Sequence, residues 1–181
     1  GEERTRDELI PFLNESVDDE DEVLFVMAES LGEFIPLVGG VAHAHTILPP
    51  LDLLCAVEES TVREKSVASI AKIVEVMSTP DVVEHFLPLL RRLVERDWFT
   101  SRISACGLFS VAYKRLAAPL QSEMRQLFAQ LCHDDVPMVK QAASKALGEF
   151  AGKVELEATV SELLPLAVEL AHDDQDSIRS V

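Results

Sequence analysis

Histidines, cysteines and clustered acids are the residues in this chain whose types could do chemistry, and their spacing points away from catalysis. His43 and His45 stand one residue apart, with no cysteine or acid at zinc-ligand spacing around them. His133 beside Asp134 and His172 beside Asp173 recur at one fixed step and read as parts of a turn. Cys55, Cys106 and Cys132 lie far apart in helical patterns, as buried free thiols of a reducing compartment do. No Gly-x-Ser-x-Gly elbow and no phosphate-cradling glycine loop is present. The acids lack the opposed, desolvated arrangement that general acid–base work needs. The reading is therefore non-enzymatic, with no catalytic residue, metal or cofactor expected.

The charged residues mark a register instead. Val23, Val62, Ser101, Val139 and Ile178 fall at steps of 38–39 residues, and the next residue is Arg63, Arg102, Lys140 or Arg179 in four of the five cases. Leu24 breaks the basic column. Five residues ahead stand Asp19, Glu58, Asp97, Asp135 and Asp174. An acid before a turn can accept backbone N–H groups, and a base after it can bridge to the neighbouring repeat. Arg63, Asp97–Arg102, Asp135–Lys140 and Asp174–Arg179 are accordingly expected to form a structural ladder. The turns are expected to be the recognition surface: Asp19, Glu20, Asp21, Glu22, Glu58, Glu59, Asp97, Asp134, Asp135 and Asp176 supply an acidic strip, with Lys140 beside it. Trp98-Phe99 and Pro137-Met138 supply apolar tips of the kind that anchor interfaces.

Helices must position these groups. Leu31-Gly32-Glu33-Phe34 recurs letter for letter as Leu147-Gly148-Glu149-Phe150, three periods on. Self-similarity at this length marks a solenoid of antiparallel helix pairs, each touching only its neighbours. The boundaries predicted are 5–40, 41–79, 80–118, 119–157 and a partial unit at 158–181, about four and a half repeats of an all-α array. Pro11, Pro49, Pro88 and Pro165 recur inside the first helices and are expected to kink them. In the second helices, 3.6-residue periodicity groups Val23, Val26, Met27, Leu31 and Phe34, and then Val62, Val67, Ile70 and Ile73. Neither end reads as a capping repeat, so the chain is expected to be a piece of a longer array. A net charge of −16 disfavours nucleic acid and anionic lipid. No apolar run is long enough for a membrane span, and the start lacks a signal-like apolar region.

Several stretches resemble the scaffolding A subunit of protein phosphatase 2A, a family built from HEAT repeats. They are Asp19-Glu20-Asp21-Glu22-Val23-Leu24, Leu48-Pro49-Pro50-Leu51, the fifteen residues from Asp97-Trp98-Phe99 to Ser110-Val111, Asp134-Asp135-Val136-Pro137-Met138-Val139, and Lys145-Ala146-Leu147-Gly148-Glu149-Phe150. The resemblance implies an α-solenoid corresponding to the second to fifth of fifteen repeats and the start of the sixth. It implies that the turns receive regulatory B subunits, while the catalytic subunit docks on C-terminal repeats outside this sequence. The family usually has two consecutive bases after Pro-Met-Val, where this chain has Lys140-Gln141. A cytoplasmic location, with the nucleus also admitted, goes with that reading. The alternative is a HEAT-repeat carrier of the nuclear-transport type, holding basic cargo on its concave face.

Overall fold

The computed structural model describes residues 1–173 and divides into two compact units, Gly1–Leu93 and a second that begins at Val94. Every regular element among the described residues is helical. In the first unit, α1 (2–15) pairs with α2 (Asp21–Leu31), and α3 (Leu48–Leu54) with α4 (Ser60–Val76). Helix α5 (79–95) carries the boundary between the units. In the second unit follow α6 (Phe99–Cys106), α7 (Phe109–Ala112), α8 (Ala118–Cys132), α9 (Pro137–Ala151) and α10 (156–171). The fold is the expected all-α stack of helix pairs.

Within each unit, first helices lie against first helices and second against second. Helix α2 packs along α4 and α1 against α3; in the other unit α6 packs along α9, and α10 lies against α8 and α9. Polar ties between these layers span close to one repeat length. Lys65 Nζ donates to Glu29 at 3.0 Å, Ser69 Oγ to the Ala28 carbonyl at 2.6 Å, and Arg92 to the buried Asp52 carboxylate at 3.1 Å. In the second unit Ser110 Oγ donates to Glu149 at 2.8 Å and Arg125 Nε to Glu162 at 2.9 Å. Contact at the repeat distance is what nearest-neighbour stacking means.

The prolines act through a wider helical turn. Thr5–Leu9, Val82–Phe86 and Thr159–Leu163 are π-helical, and each directly precedes the Ile-Pro or Leu-Pro step. Proline lacks an N–H, and its ring clashes with the carbonyl four residues back. The helix answers by bonding one residue further: the N–H groups of Ile10, Leu87 and Leu164 reach the carbonyls of Thr5, Val82 and Thr159. Before Pro49 a 3₁₀ segment, Val41–Ile47, takes that place. Helix α8 has no proline at the corresponding depth and runs from Ala118 to Cys132 unbroken.

One predicted helix face is corrected. Val23 and Val26 are 48% and 58% exposed, and the buried stripe of α2 is Leu24, Ala28 and Leu31. Both stripes are apolar at helical spacing, so periodicity alone did not choose between them. In α4 the expected Val62, Ile70 and Ile73 are fully buried and Val67 is half-buried. Leu24 occupies the column of Arg63 and Arg102 as a core residue rather than a charged one.

Two close approaches depend on glycine. A Cβ on Gly32 would meet Ser69 Oγ at 2.8 Å, so the α2–α4 contact needs a bare backbone there. Gly39, after the short 3₁₀ turn Ile35–Val38, has φ +99°, and a Cβ there would lie 2.9 Å from Arg6 Nη1. Arg6 itself donates to the Val38 carbonyl at 2.5 Å.

The second unit is centred on aromatics. Phe109, Phe128 and Phe150 lie with centroids 4.8–5.7 Å apart, and Tyr113 meets Phe150 edge-on at 5.4 Å. The buried Tyr113 hydroxyl accepts from Arg125 Nη1 at 2.6 Å and donates to Glu155 at 3.0 Å. Burial also raises its pKa above the usual phenol value. Cys106 and Cys132 are buried as expected, and desolvation pushes the Cys132 thiol up to about 12.

Phe150→Ala should cost about 3–5 kcal/mol in urea unfolding followed by circular dichroism, because three neighbouring rings lose their common partner. Gly39→Ala should cost about 1–2 kcal/mol from left-handed backbone strain. In the folded protein, Cys106 and Cys132 should react with a thiol reagent far more slowly than in urea, through opened states, with a rate that rises from pH 7 to pH 8.5 as the exposed thiol ionises.

Candidate interface at the interhelix turns

Each turn between a first and a second helix is short, because the second helix starts within a few residues of the end of the first. Its backbone carbonyls therefore point inward with few helical donors to satisfy them. In two of the turns an arginine from the second helix takes that role. Arg102 Nη1 donates to the carbonyls of Arg96 and Asp97 at 2.8 and 2.7 Å. Arg63 Nη1 does the same in its own turn, to Val57 at 2.8 Å and to Glu58. In both, the acceptors lie six and five residues upstream.

The same Arg102 guanidinium also reaches the next turn. Nε lies 2.7 Å from Asp134 Oδ2 and Nη2 lies 3.2 Å from Oδ1, a two-pronged ion pair with both side chains largely buried. Asp134 Oδ1 in turn accepts from the Val136 N–H at 2.9 Å, closing the entry to α9. Lys140, a single ammonium rather than a fork, ties to Asp173 at 3.0 Å. His133 continues the series with Glu169 at 2.7 Å.

The predicted ladder is therefore shifted by one residue. Asp135, placed in it by spacing, is exposed, and Asp134 occupies the groove instead. Asp97 takes part through its carbonyl, with its carboxylate exposed. Of two adjacent acids in a tight turn, one side chain faces the neighbouring turn and the next faces water. The doublets Asp134-Asp135 and Asp173-Asp174 carried that signal, since a doublet offers both choices. Asp174, Asp176 and Arg179 lie outside the described residues.

The other named turn residues are mostly exposed, each in its own unit. Asp19, Glu20, Asp21, Glu22 and Glu58 are exposed, and Asp19 Oδ1 accepts from the Glu20 N–H at 2.8 Å. Glu59 caps α4 by accepting from Thr61 N and Oγ1, and the hydroxyl bond first, then the backbone bond, holds its carboxyl below the usual range. Trp98 is 52% exposed, with the half-buried Phe99 ring tilted beside it at 5.3 Å. Met138 is 51% exposed and Pro137 next to it is also exposed. Glu95, Asp97, Asp134 and Asp135 line a shallow cleft of about 320 Å³ together with Arg96 and Arg102. The edge can thus offer apolar tips set in negative charge. The Tyr113–Arg125–Glu155 network was missed in sequence, where its members are separated by up to 42 residues.

Comparison with known proteins gives this geometry a context. Residues 124–154 match the HEAT repeat family model. A probable serine/threonine-protein phosphatase PP2A regulatory subunit of Caenorhabditis elegans is 52% identical over 179 residues, 99% of this chain and 30% of that protein. The protein phosphatase 2A scaffold subunit of Dictyostelium discoideum is 54% identical over 92% of this chain and 29% of its own length. The serine/threonine-protein phosphatase PP2A 65 kDa regulatory subunit of Drosophila melanogaster is 54% identical over 87% of this chain and 27% of its own length. The chain thus spans about three tenths of the relatives it matches. No helix among the described residues is long and apolar enough to cross a membrane.

Arg102→Ala should destabilise by about 2–3 kcal/mol, because it leaves the Asp134 carboxylate and two turn carbonyls without their donor. Arg102→Ala combined with Asp134→Ala should cost less than the sum of the two single changes in a double-mutant cycle. Hydrogen exchange should rise mainly in α6, α8 and α9, the elements joined by this contact.

Proposed function

This chain belongs to the family of protein phosphatase 2A 65 kDa regulatory, or scaffold, subunits, and we propose from that premise that it is a non-catalytic scaffold segment. Its interhelix turns dock regulatory B-type subunits, and the array as a whole holds them together with the catalytic subunit. The observation carrying this reading is identity above one half along most of the chain with proteins named as phosphatase 2A regulatory or scaffold subunits. The turns support it physically. Trp98 and Met138 are large, exposed and set on backbone that Arg102 and Asp134 hold rigid. A pre-held aromatic loses little entropy on binding. The surrounding acids favour a partner with a basic face.

In this proposal, which follows the resemblance, the segment stands for N-terminal repeats and the catalytic subunit docks on repeats beyond it. The isolated chain should therefore bind a B-type subunit weakly, since it lacks the second attachment that raises effective concentration in the complete assembly. The cytoplasm is the proposed compartment.

Trp98→Ala should weaken binding of a purified B-type regulatory subunit by about 2 kcal/mol, roughly 30-fold, with the melting temperature almost unchanged. Isothermal titration and a thermal melt of the same samples check this. Unchanged affinity with a large drop in melting temperature would assign Trp98 to packing. Hydrogen-exchange protection confined to α2, α4, α6 and α9, with the turns untouched, would favour a carrier that grips cargo on its second helices. Stable capture of the catalytic subunit by this chain alone would overturn the proposed division of labour.

A further inference from the structure

Three ligand-type side chains converge at the start of α5, away from the turns. Ser78 caps the helix: its hydroxyl accepts from the Asp81 N–H at 3.2 Å and donates to Asp81 Oδ2 at 2.7 Å. That bond fixes the Asp81 carboxylate at the first turn. The π turn Val82–Phe86 that accommodates Pro88 then carries Glu84 and His85 round to the same side. One ligand atom each from Asp81, Glu84 and His85 lie within 4.8 Å of one another.

The spacing is the informative part. His85 Nε2 and Glu84 Oε2 are 4.0 Å apart, too far for a hydrogen bond. Asp81 and Glu84 each bring a carboxylate to this cluster, one bonded to the Ser78 hydroxyl and the other nearest the His85 ring. Zinc bonds to imidazole nitrogen and carboxylate oxygen are about 2.0–2.2 Å long and tetrahedrally disposed, so two donors on one ion sit about 3.4 Å apart. Rotation of the exposed Glu84 side chain closes the remaining distance. The ring of His45, from Val41–Ile47, stacks on that of His85 with centroids 4.1 Å apart and planes at 13°. It holds the His85 imidazole in place without itself supplying a ligand.

We propose that Asp81, Glu84 and His85 form a zinc site at the start of helix α5, with water completing the coordination. Imidazole among the donors selects a borderline metal such as zinc over magnesium or calcium, which prefer all-oxygen shells. His43 and His45 drew attention in sequence as a neighbouring pair, but the ligands lie about forty residues further on.

Titration calorimetry of the 181-residue chain with zinc chloride at pH 7.4 tests this. One saturable site of micromolar affinity is expected, and millimolar magnesium should not displace the metal. His85→Gln and Glu84→Gln should each weaken binding at least about tenfold. His43→Ala and His133→Ala should leave it unchanged. Glu84 is exposed, so its isosteric replacement should preserve helical circular dichroism and keep the test valid if His85→Gln unfolds the chain. Absence of saturable binding below millimolar zinc, full affinity in Glu84→Gln, or loss of the site in His43→Ala would each overturn the assignment.

Discussion

A buried arginine that must satisfy backbone carbonyls is the constraint on which the turn architecture rests. A short turn between antiparallel helices leaves carbonyl groups facing inward, and an unmade bond there is expensive. Arg102 covers two of them and still has donors to spare, because a guanidinium carries five. The spare donors reach Asp134, which closes the next turn. One side chain thereby couples the internal order of a turn to its spacing from the neighbouring one. Lysine at the corresponding place makes the outward connection, to Asp173.

Proline sets a second constraint. A solenoid needs the same bend in successive first helices, and a residue without an N–H is a repeatable way to impose it. In three first helices the lost bond is absorbed by a π turn, so the backbone stays hydrogen-bonded while its side chains rotate relative to a regular helix. Glu84 and His85 both lie in one of these π turns, next to Asp81.

Much of the fold was legible because the repeat is a one-dimensional signal: a fixed step, a basic column and recurrent prolines imply stacked helix pairs without three-dimensional knowledge. The site was legible to within one residue. Asp134 and Asp135 are equivalent by composition and spacing, and only the turn's path decides which carboxylate faces the groove. The same ambiguity misassigned α2, where two adjacent apolar stripes compete and Leu24 wins over Val23. The Phe109–Phe128–Phe150 cluster and the Tyr113 network had no local signature, since their members come from different helices and meet only on folding.

The chain has one tryptophan and one tyrosine, and the fold gives them opposite surroundings. Trp98 stands half in water on a turn, whereas Tyr113 is sealed among phenylalanines and bonded to Arg125 and Glu155. The two chromophores therefore report separate events. Indole emission follows what happens at the turn surface, while the tyrosine signal, in absorbance or ultraviolet Raman, follows the interior of the second unit. No label has to be introduced to tell occupancy of the edge from loosening of the core.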